Sequence, residues 1–562
     1  MANIKLLALG GLGENGKNMY IVEINNRIFI LDAGLKYPDI DMYGVDAVVP
    51  DLTYLIENKD RIEGIFISHG HEDNIGAIPY MLRNLPMRVY GTHFSISLIE
   101  NLLVDNKMNI KEYKLFRIND NKVLKFGDVQ VTFFNTSHSL PESVGICLST
   151  PDGTIVYATD FNFMPSTEEH YFTSFSKITD LGKSKVLALL TESIGTSATG
   201  RIVNDSLLEH NFNNVLTHSH TRIIMAAYSS DLIRIQKIIN LALAGGRKIA
   251  FVGHKGEKLV ETAINANYLK VPEGSYCVLK QMDDVNKNDD ESLVVIVHGQ
   301  REEPYTMLVK MLFGEDKYLK ITPNDQVIIM CPPVSGTERL ATNTINTLYR
   351  YDTNLLIYDR SILRTSHASK EDLKLMYAML KPVYVMPVKG EYRHMYEQML
   401  VAEDAGYDRD HILLLDNGEA IELTDGHITN RDKVKVGNIF VDGSLIGDVN
   451  ENVIKDRENL AEEGAIIISA HYDIRLRKII KGPTLTTKGV VNALLTEELS
   501  KRIIDLTIRI FENAMAKKNY GLELAKTGVI EEVTKLISRA TKHQPSVIPI
   551  FVETTKQPEK KN

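Results

Sequence analysis

The sequence predicts an α/β protein of several domains, and three observations predict it. Short apolar or alternating runs recur along the chain with helix-spaced segments between them. From about residue 200 this alternation becomes more regular, as a separate α/β unit would show. A His-x-His-x-Asp cluster directly follows one of the buried runs, at a sheet edge.

Taken in order, residues 4–9, 19–24 and 27–31 read as strands, and Asn25-Asn26 between the last two reads as a hairpin turn. Residues 62–67 are a short buried strand. Residues 74–85 have helical spacing, with Ile75, Ile78 and Leu82 on one face. Residues 129–135 and 154–158 are further strands. Residues 222–228 then read as a strand and 230–244 as a helix ended by Gly245-Gly246. Strands are expected at 248–253, 293–297 and 326–331, with a polar loop over 282–292. Residues 382–388 are a strand leading into Lys389-Gly390-Glu391-Tyr392. A last unit starts near Val449, with a strand at 465–470 and a long amphipathic helix from Thr496. The lysine-rich tail, 554–562, is expected to be disordered. There is no internal repeat.

Length and composition narrow the function. The 562 residues suggest two to four domains. With 44% hydrophobic and 24% charged residues the balance is that of a globular protein. No apolar run reaches the length of a membrane span, and the run at 4–9 is cut by Gly10-Gly11, so a cytoplasmic protein without a signal peptide is expected. Cys147, Cys277 and Cys331 are odd in number and far apart, which reads as free thiols. A formal net charge of −9 is evidence against a general nucleic-acid coat but leaves room for a local basic channel.

One motif is a decoy. Gly11-Leu12-Gly13-Glu14-Asn15-Gly16 fits the dinucleotide fingerprint, and Gly11 to Lys17 nearly fits a P-loop, with Asn18 where Ser or Thr should hold magnesium. Both need a following helix whose N-terminus binds phosphate. Residues 19–24 favour a strand, so a strand-to-strand turn is the better reading.

The informative cluster is Ser68-His69-Gly70-His71-Glu72-Asp73-Asn74. Neutral imidazoles and carboxylates are the usual ligands of zinc or manganese. Asp32, His138 and Asp160 each lie just past a strand end, where ligands from several strands can converge. Singly, each is a cap or turn residue; together and in this order they point to a metal site.

In this order they resemble the metallo-β-lactamase motif series: Asp32, His69-x-His71-x-Asp73, His138, Asp160. Leu190-Thr191-Glu192-Ser193, Thr365-Ser366-His367-Ala368-Ser369 and Pro387-Val388-Lys389-Gly390-Glu391-Tyr392-Arg393 resemble the three motifs of a β-CASP ribonuclease. Gly10-Gly11-Leu12-Gly13-Glu14 and Val441-Asp442-Gly443-Ser444 are similar to those of the ribonuclease J family, and the likeness covers essentially the whole chain.

The resemblance implies an αββα sandwich from 1–195 and 363–430, an inserted β-CASP α/β domain at 196–362, a linker at 431–448, a small C-terminal α/β domain at 449–555 and a tail at 556–562. It implies that His69, His71, His138 and Asp160 bind a first ion, zinc or manganese. Asp73, residue 74, residue 389 and a bridging Asp160 would bind a second, with Asp32 as structural support. Asp73, Glu192 and His367 would be catalytic, the last two as an acid pair. Ser193, Leu363, Arg364, Thr365, Ser366 and His367 would touch RNA.

Active members carry His where this chain has Asn74 and Lys389. They usually carry glycine and histidine where it has Ser366 and Leu363, and the family's residue at Arg364 is usually not arginine. An amide oxygen is a weak ligand and an ammonium repels a cation, so one ion is expected, with Lys389 paired to Asp73 and Asp160 in the second position. Two-metal hydrolysis uses both ions to clamp the phosphate. Losing one predicts cleavage roughly 10²- to 10⁴-fold weaker.

Intact relatives are 5′-to-3′ exoribonucleases that prefer a 5′-monophosphate, can also cut internally, and act in messenger RNA decay and ribosomal RNA maturation. The departures match the second, weaker paralogue of the family. Two readings follow: a slow metal-dependent ribonuclease, or a largely inactive RNA-binding subunit that tunes an active paralogue. A homodimer or tetramer is also implied. A thioester or lactam hydrolase is disfavoured, because such an enzyme has no need of an inserted unit.

Overall fold

The computed structural model describes residues 2–39, 42–164, 169–197, 205–219, 221–253, 256–277, 292–358, 366–443, 445–447, 449–490, 496–516 and 521–554. Contacts divide the chain into two units, Met1–Tyr37 with Ala47–Ile439, and Pro38–Asp46 with Phe440–Asn562.

The first unit contains a sandwich of two sheets. One has eight strands, in the order His427–Lys433, Glu419–Thr424, Asn3–Gly10, Met19–Ile24, Arg27–Leu31, Ile62–Phe66, Arg88–Gly91 and Lys114–Arg117. The other has six: Tyr384–Val388, Val186–Glu192, Gly153–Ala158, Val144–Thr150, Val129–Asn135 and Leu124–Phe126. Both inner faces are apolar. Leu6, Val22, Phe29 and Phe66 of one sheet share a core with Val131, Ile146, Tyr157 and Leu190 of the other, as packed sheet faces require. On the outer face of the six-stranded sheet, Leu373, Met376 and Leu380 of helix Lys370–Leu380 pack with Val156, Leu189 and Val385. That helix starts with a capping box in which Ser369 and Asp372 satisfy each other's backbone donors.

The chain leaves this sandwich after Val186–Glu192 and returns as Tyr384–Val388, which pairs beside it in parallel. Between them lies a six-stranded, all-parallel sheet: Tyr276–Cys277, Lys248–Val252, Leu293–Gly299, Ile223–Tyr228, Gln326–Ile329 and Asn354–Ile357. Its central strands are buried along their length, which explains their near-continuous apolar sequence. In the second unit, strands Lys478–Lys488, Ala465–Asp473 and Ser546–Glu553 form a sheet. Helices Glu497–Ala516 and Leu522–Thr541 cover one of its faces, with Ile466, Ile503, Phe511 and Val533 in a core of their own.

Two local differences from the sequence reading have physical causes. The helix expected over 74–85 is two short ones, Glu72–Ile75 and Ile78–Asn84, because Pro79 suits the first turn of a new helix. The stretch 431–448, expected as a linker, holds the end of His427–Lys433 and strand Asn438–Asp442, where Ile439, Phe440 and Val441 form an apolar triplet. The long helix expected from Thr496 is present as Glu497–Ala516, and a second, Leu522–Thr541, follows it. The turn reading of the glycine motif holds, since strand Met19–Ile24 and not a helix follows it. Most of the loop expected at 282–292, and the tail after Thr554, lie outside the described residues.

Candidate metal centre

The polar side chains gather because strand ends converge. Asp32 follows Arg27–Leu31, His69 and His71 follow Ile62–Phe66, and His138 follows Val129–Asn135. Asp160 follows Gly153–Ala158, Glu192 ends Val186–Glu192, and Lys389 follows Tyr384–Val388. At Asp32, Asp160 and Lys389 the backbone turns into the left-handed region, with φ of 60°, 50° and 52°. Non-glycine residues seldom adopt it, and it is concentrated at functional sites.

Three imidazoles meet edge to edge. His71 Nδ1 lies 3.0 Å from His69 Nε2 and 3.1 Å from His138 Nε2. The opposite ring nitrogens are all engaged. His69 Nδ1 is 2.9 Å from Ser68 Oγ, His138 Nδ1 is 2.8 Å from the Ser366 carbonyl, and His71 Nε2 is 3.3 Å from the Ser230 carbonyl. Ser68 Oγ gives its own proton to Asp32 at 2.7 Å, so it accepts from His69. These partners assign each ring its outward N–H, which leaves three lone pairs aimed at one point. Burial pushes all three histidines below their usual pKa, which keeps them neutral. Three converging lone pairs repel one another unless a cation lies among them. With Asp160 Oδ2 3.5 Å from His69 Nε2, the donor set fits one zinc or manganese ion.

Asp32 anchors this arrangement from behind. Its carboxylate accepts from the Ser68 amide at 2.8 Å, the Ser68 hydroxyl, Asn74 Nδ2 at 2.6 Å and the Tyr157 hydroxyl at 2.6 Å. Burial raises its pKa to about 6 even against these donors.

The neighbouring position holds an ammonium. Lys389 Nζ donates to Asp160, lies 2.9 Å from Asp73 Oδ2 and donates to Asn74 Oδ1 at 2.9 Å. The lysine is 1% exposed. Burial opposes its charge, but Asp160 and Asp73 raise its pKa above the ordinary lysine value, so it stays protonated. Asn74 is the link between the two halves: its amide nitrogen serves Asp32 and its oxygen serves Lys389. The expected pairing of Lys389 with both carboxylates is therefore present.

Glu192 and His367 form a pair beside it. His367 Nδ1 is 2.6 Å from Glu192 Oε2 and 3.1 Å from Asp160 Oδ1. Burial would lower the imidazole pKa, but the Glu192 and Asp160 carboxylates raise it to about 10. Glu192 Oε1 also accepts from the Phe161 amide at 2.8 Å.

Of the expected RNA-contacting residues, Leu363, Arg364 and Thr365 lie outside the described residues. Ser366 lends its carbonyl to His138. Ser193 is fully buried, and its hydroxyl donates to the Lys389 carbonyl at 2.9 Å, so it braces the Lys389 turn from inside the fold.

The sequence reading missed four supporting residues. Ser68 and Tyr157 hold Asp32, Ser230 holds His71, and Asn18 Nδ2 donates to the Asp73 carbonyl at 2.8 Å and to its carboxylate at 3.0 Å. The glycine motif therefore reaches the site without binding a nucleotide. The Lys389 amide donates to the Gly11 carbonyl at 3.0 Å, and a Cβ on Gly11 would lie 2.4 Å from the Tyr20 hydroxyl. Only the adjacency of Ser68 to His69 gave any signal in the sequence.

Comparison with known proteins agrees with this architecture. Residues 12–199 match the metallo-beta-lactamase superfamily, and 220–348 match the ribonuclease J beta-CASP domain. Residues 362–410 match the Zn-dependent metallo-hydrolase RNA specificity domain, and 452–554 the ribonuclease J C-terminal domain. The chain is 34% identical to Ribonuclease J 2 of Streptococcus pyogenes serotype M3 over 98% of its length and 100% of the relative's. It is 34% identical to Ribonuclease J 2 of Staphylococcus saprophyticus over 98% of each chain. In fold it is similar to a crystal structure of a protein of unknown function from Enterococcus faecalis V583, with a TM-score of 0.53 and 14% identity, covering 75% of this chain and all of that one. With identity sustained over nearly the full length and every domain matched in order, the chain belongs to the ribonuclease J family, metal-dependent hydrolases of the metallo-β-lactamase superfamily.

Proposed function

We propose that this chain is an RNA-processing ribonuclease that holds one divalent ion, zinc or manganese, on His69, His71, His138 and Asp160, and cuts phosphodiesters slowly. The observation that carries the reading is Lys389, whose ammonium lies among Asp73, Asp160 and Asn74 where a second ion would need ligands. The substrate is single-stranded RNA with a 5′-monophosphate, degraded from the 5′ end and also cut internally, in messenger RNA decay and ribosomal RNA maturation in the cytoplasm. The names of the relatives and the matched RNA specificity domain support it.

A bound ion would polarise a phosphate oxygen and ease deprotonation of water. The chain's own groups do the rest. Asp73, whose side chain is 32% exposed, is the group placed to accept a proton from water. His367, held protonated by Glu192 and Asp160, is placed to give one to the leaving oxygen. Lys389 supplies one fixed positive charge where intact relatives would place two, which weakens phosphate stabilisation. Ser366, with 363–365, would contact the RNA backbone. The sandwich from 1–195 and 363–430 carries the chemistry, 196–362 covers it, and 449–555, joined through 431–448, serves assembly into a homodimer or tetramer.

A second reading, a largely inactive RNA-binding subunit of a complex with an active paralogue, is favoured by one feature: Asn74 and Lys389 satisfy each other, so the position is stable without an ion. The deciding assay offers 5′-monophosphorylated RNA with manganese to the wild type and to Asn74→His with Lys389→His. The first reading expects slow cleavage that rises roughly 10²-fold or more in the double variant, and much less in either single one. No cleavage by the wild type with retained RNA binding selects the second reading.

A further inference from the structure

The metal-binding loop is gripped from the inserted parallel-sheet lobe. Glu72 stands between His71 and Asp73 and opens the short turn Glu72–Ile75. Its Oε1 accepts from Gln300 Nε2 at 2.9 Å, and its Oε2 accepts from the Tyr37 hydroxyl. Gln300 directly follows strand Leu293–Gly299 of the inserted sheet. The next residue, Arg301, lays its guanidinium 4.6 Å from the centre of the Tyr37 ring. A second grip lies nearby. The Ser230 carbonyl, past strand Ile223–Tyr228 of the same lobe, fixes the outward N–H of His71. The Ile233 amide reaches the Ser139 carbonyl at 3.4 Å, beside His138. None of these lobe residues belongs to the ligand set.

Partners hydrogen-bonded to a ligand, as the Ser230 carbonyl is to His71, orient it and set its basicity, at typically about 10- to 100-fold in metal affinity, and those on Glu72 hold the turn between His71 and Asp73. Here Ser230 and Gln300 come from a lobe whose sheet is separate from both sheets of the sandwich. We infer that Gln300, Arg301 and Tyr37 form a clasp on Glu72 that couples seating of the inserted lobe to ion binding at His69, His71 and His138. Gln300 is thus a positioning residue. By linkage the coupling runs both ways: the ion tightens the lobe, and the seated lobe tightens the ion. The inference rests on the metal reading of the three histidines.

The test is direct titration of the full chain with zinc against a chromophoric chelator, together with hydrogen exchange of peptides covering 226–233 and 297–303. Gln300→Glu sets a second carboxylate against Glu72 and should weaken zinc binding about tenfold or more. Gln300→Ala should weaken it less. Glu72→Gln combined with Gln300→Glu restores one donor facing one carboxylate and should recover most of the loss. Zinc should slow exchange in both peptides of the wild type, and in Gln300→Glu the protection of 297–303 should be lost. Equal zinc affinity in wild type and Gln300→Glu overturns the coupling while leaving the metal centre standing, and so does weakened binding without any zinc-dependent protection of the lobe. A wild type that binds no zinc overturns the metal reading and the coupling together.

Discussion

Asp32 illustrates how one buried carboxylate sets the geometry of its neighbours. It takes four hydrogen bonds from Ser68, Asn74 and Tyr157. Asp32→Ala leaves those buried donors without an acceptor, at about 1–3 kcal/mol for each one that water cannot reach. We expect a loss of at least about 3 kcal/mol, read from the urea midpoint at unchanged slope; a change within 0.5 kcal/mol, the usual surface effect, would contradict the structure. The pH dependence has a definite sign. The folded pKa of about 6 lies above the ordinary 3.8, so the folded state holds this proton more tightly. The contribution of Asp32 therefore favours folding below about pH 4 and is lost as pH rises through 6. Relative to Asp32→Asn, the wild type should lose stability across that window, and paired denaturation curves at pH 4 and 7 check it. The thiols give a simpler test. Cys147 and Cys331 are buried, and burial raises both pKa values to about 12, whereas Cys277 is partly exposed. One thiol per native chain should react promptly with a disulfide reagent. The candidate ligand histidines were legible because they are close in sequence or follow strong strand patterns. Tyr157 was not, because it occupies an apolar position in a strand and its hydroxyl points at a partner 125 residues away.

Loops placed by strands do the positioning, and their demands are backbone demands. Gly34 lies in the turn after Arg27–Leu31, where a Cβ would sit 1.5 Å from the Asp73 carbonyl oxygen. No side-chain movement relieves a collision with backbone, so Gly34→Ala should push the turn at 72–74, and His71 with it, away from His69 and His138. We expect it to fold with lowered stability and to bind zinc at least about tenfold more weakly; unchanged affinity would show that the turn tolerates displacement. This close approach also explains what was legible at this scale. Strands 19–24, 27–31 and 129–135 were read to the residue, since their apolar and turn signals are local. The role of the glycine motif was not. Gly11 approaches Lys389, and Asn18 approaches Asp73, through contacts that only the folded sandwich creates.

Across the molecule, the inserted lobe was visible as a more regular α/β pattern, but the pairing of Val186–Glu192 with Tyr384–Val388 was not, because nothing local joins strands so far apart in sequence. The unit boundary was also hidden: contacts group Pro38–Asp46 with the C-terminal residues, although the peptide follows the second strand of a hairpin. All the candidate ligands lie in the first unit, which gives metal loading a local signature. An ion present at 100 times its dissociation constant stabilises the state that binds it by about 2.7 kcal/mol. Zinc should therefore raise hydrogen-exchange protection in strands 27–31, 62–66 and 153–158, and leave strands 465–473 and 546–553, which pack on their own core, at their metal-free values. Elemental analysis of the loaded wild type should give one ion per chain, and Asn74→His with Lys389→His should give two, because the ammonium that neutralises Asp73 and Asp160 would be replaced by imidazoles able to ligate. Two ions in the wild type would mean that Lys389 leaves its carboxylates when metal is offered, and the account of slow chemistry through a fixed ammonium would then be wrong.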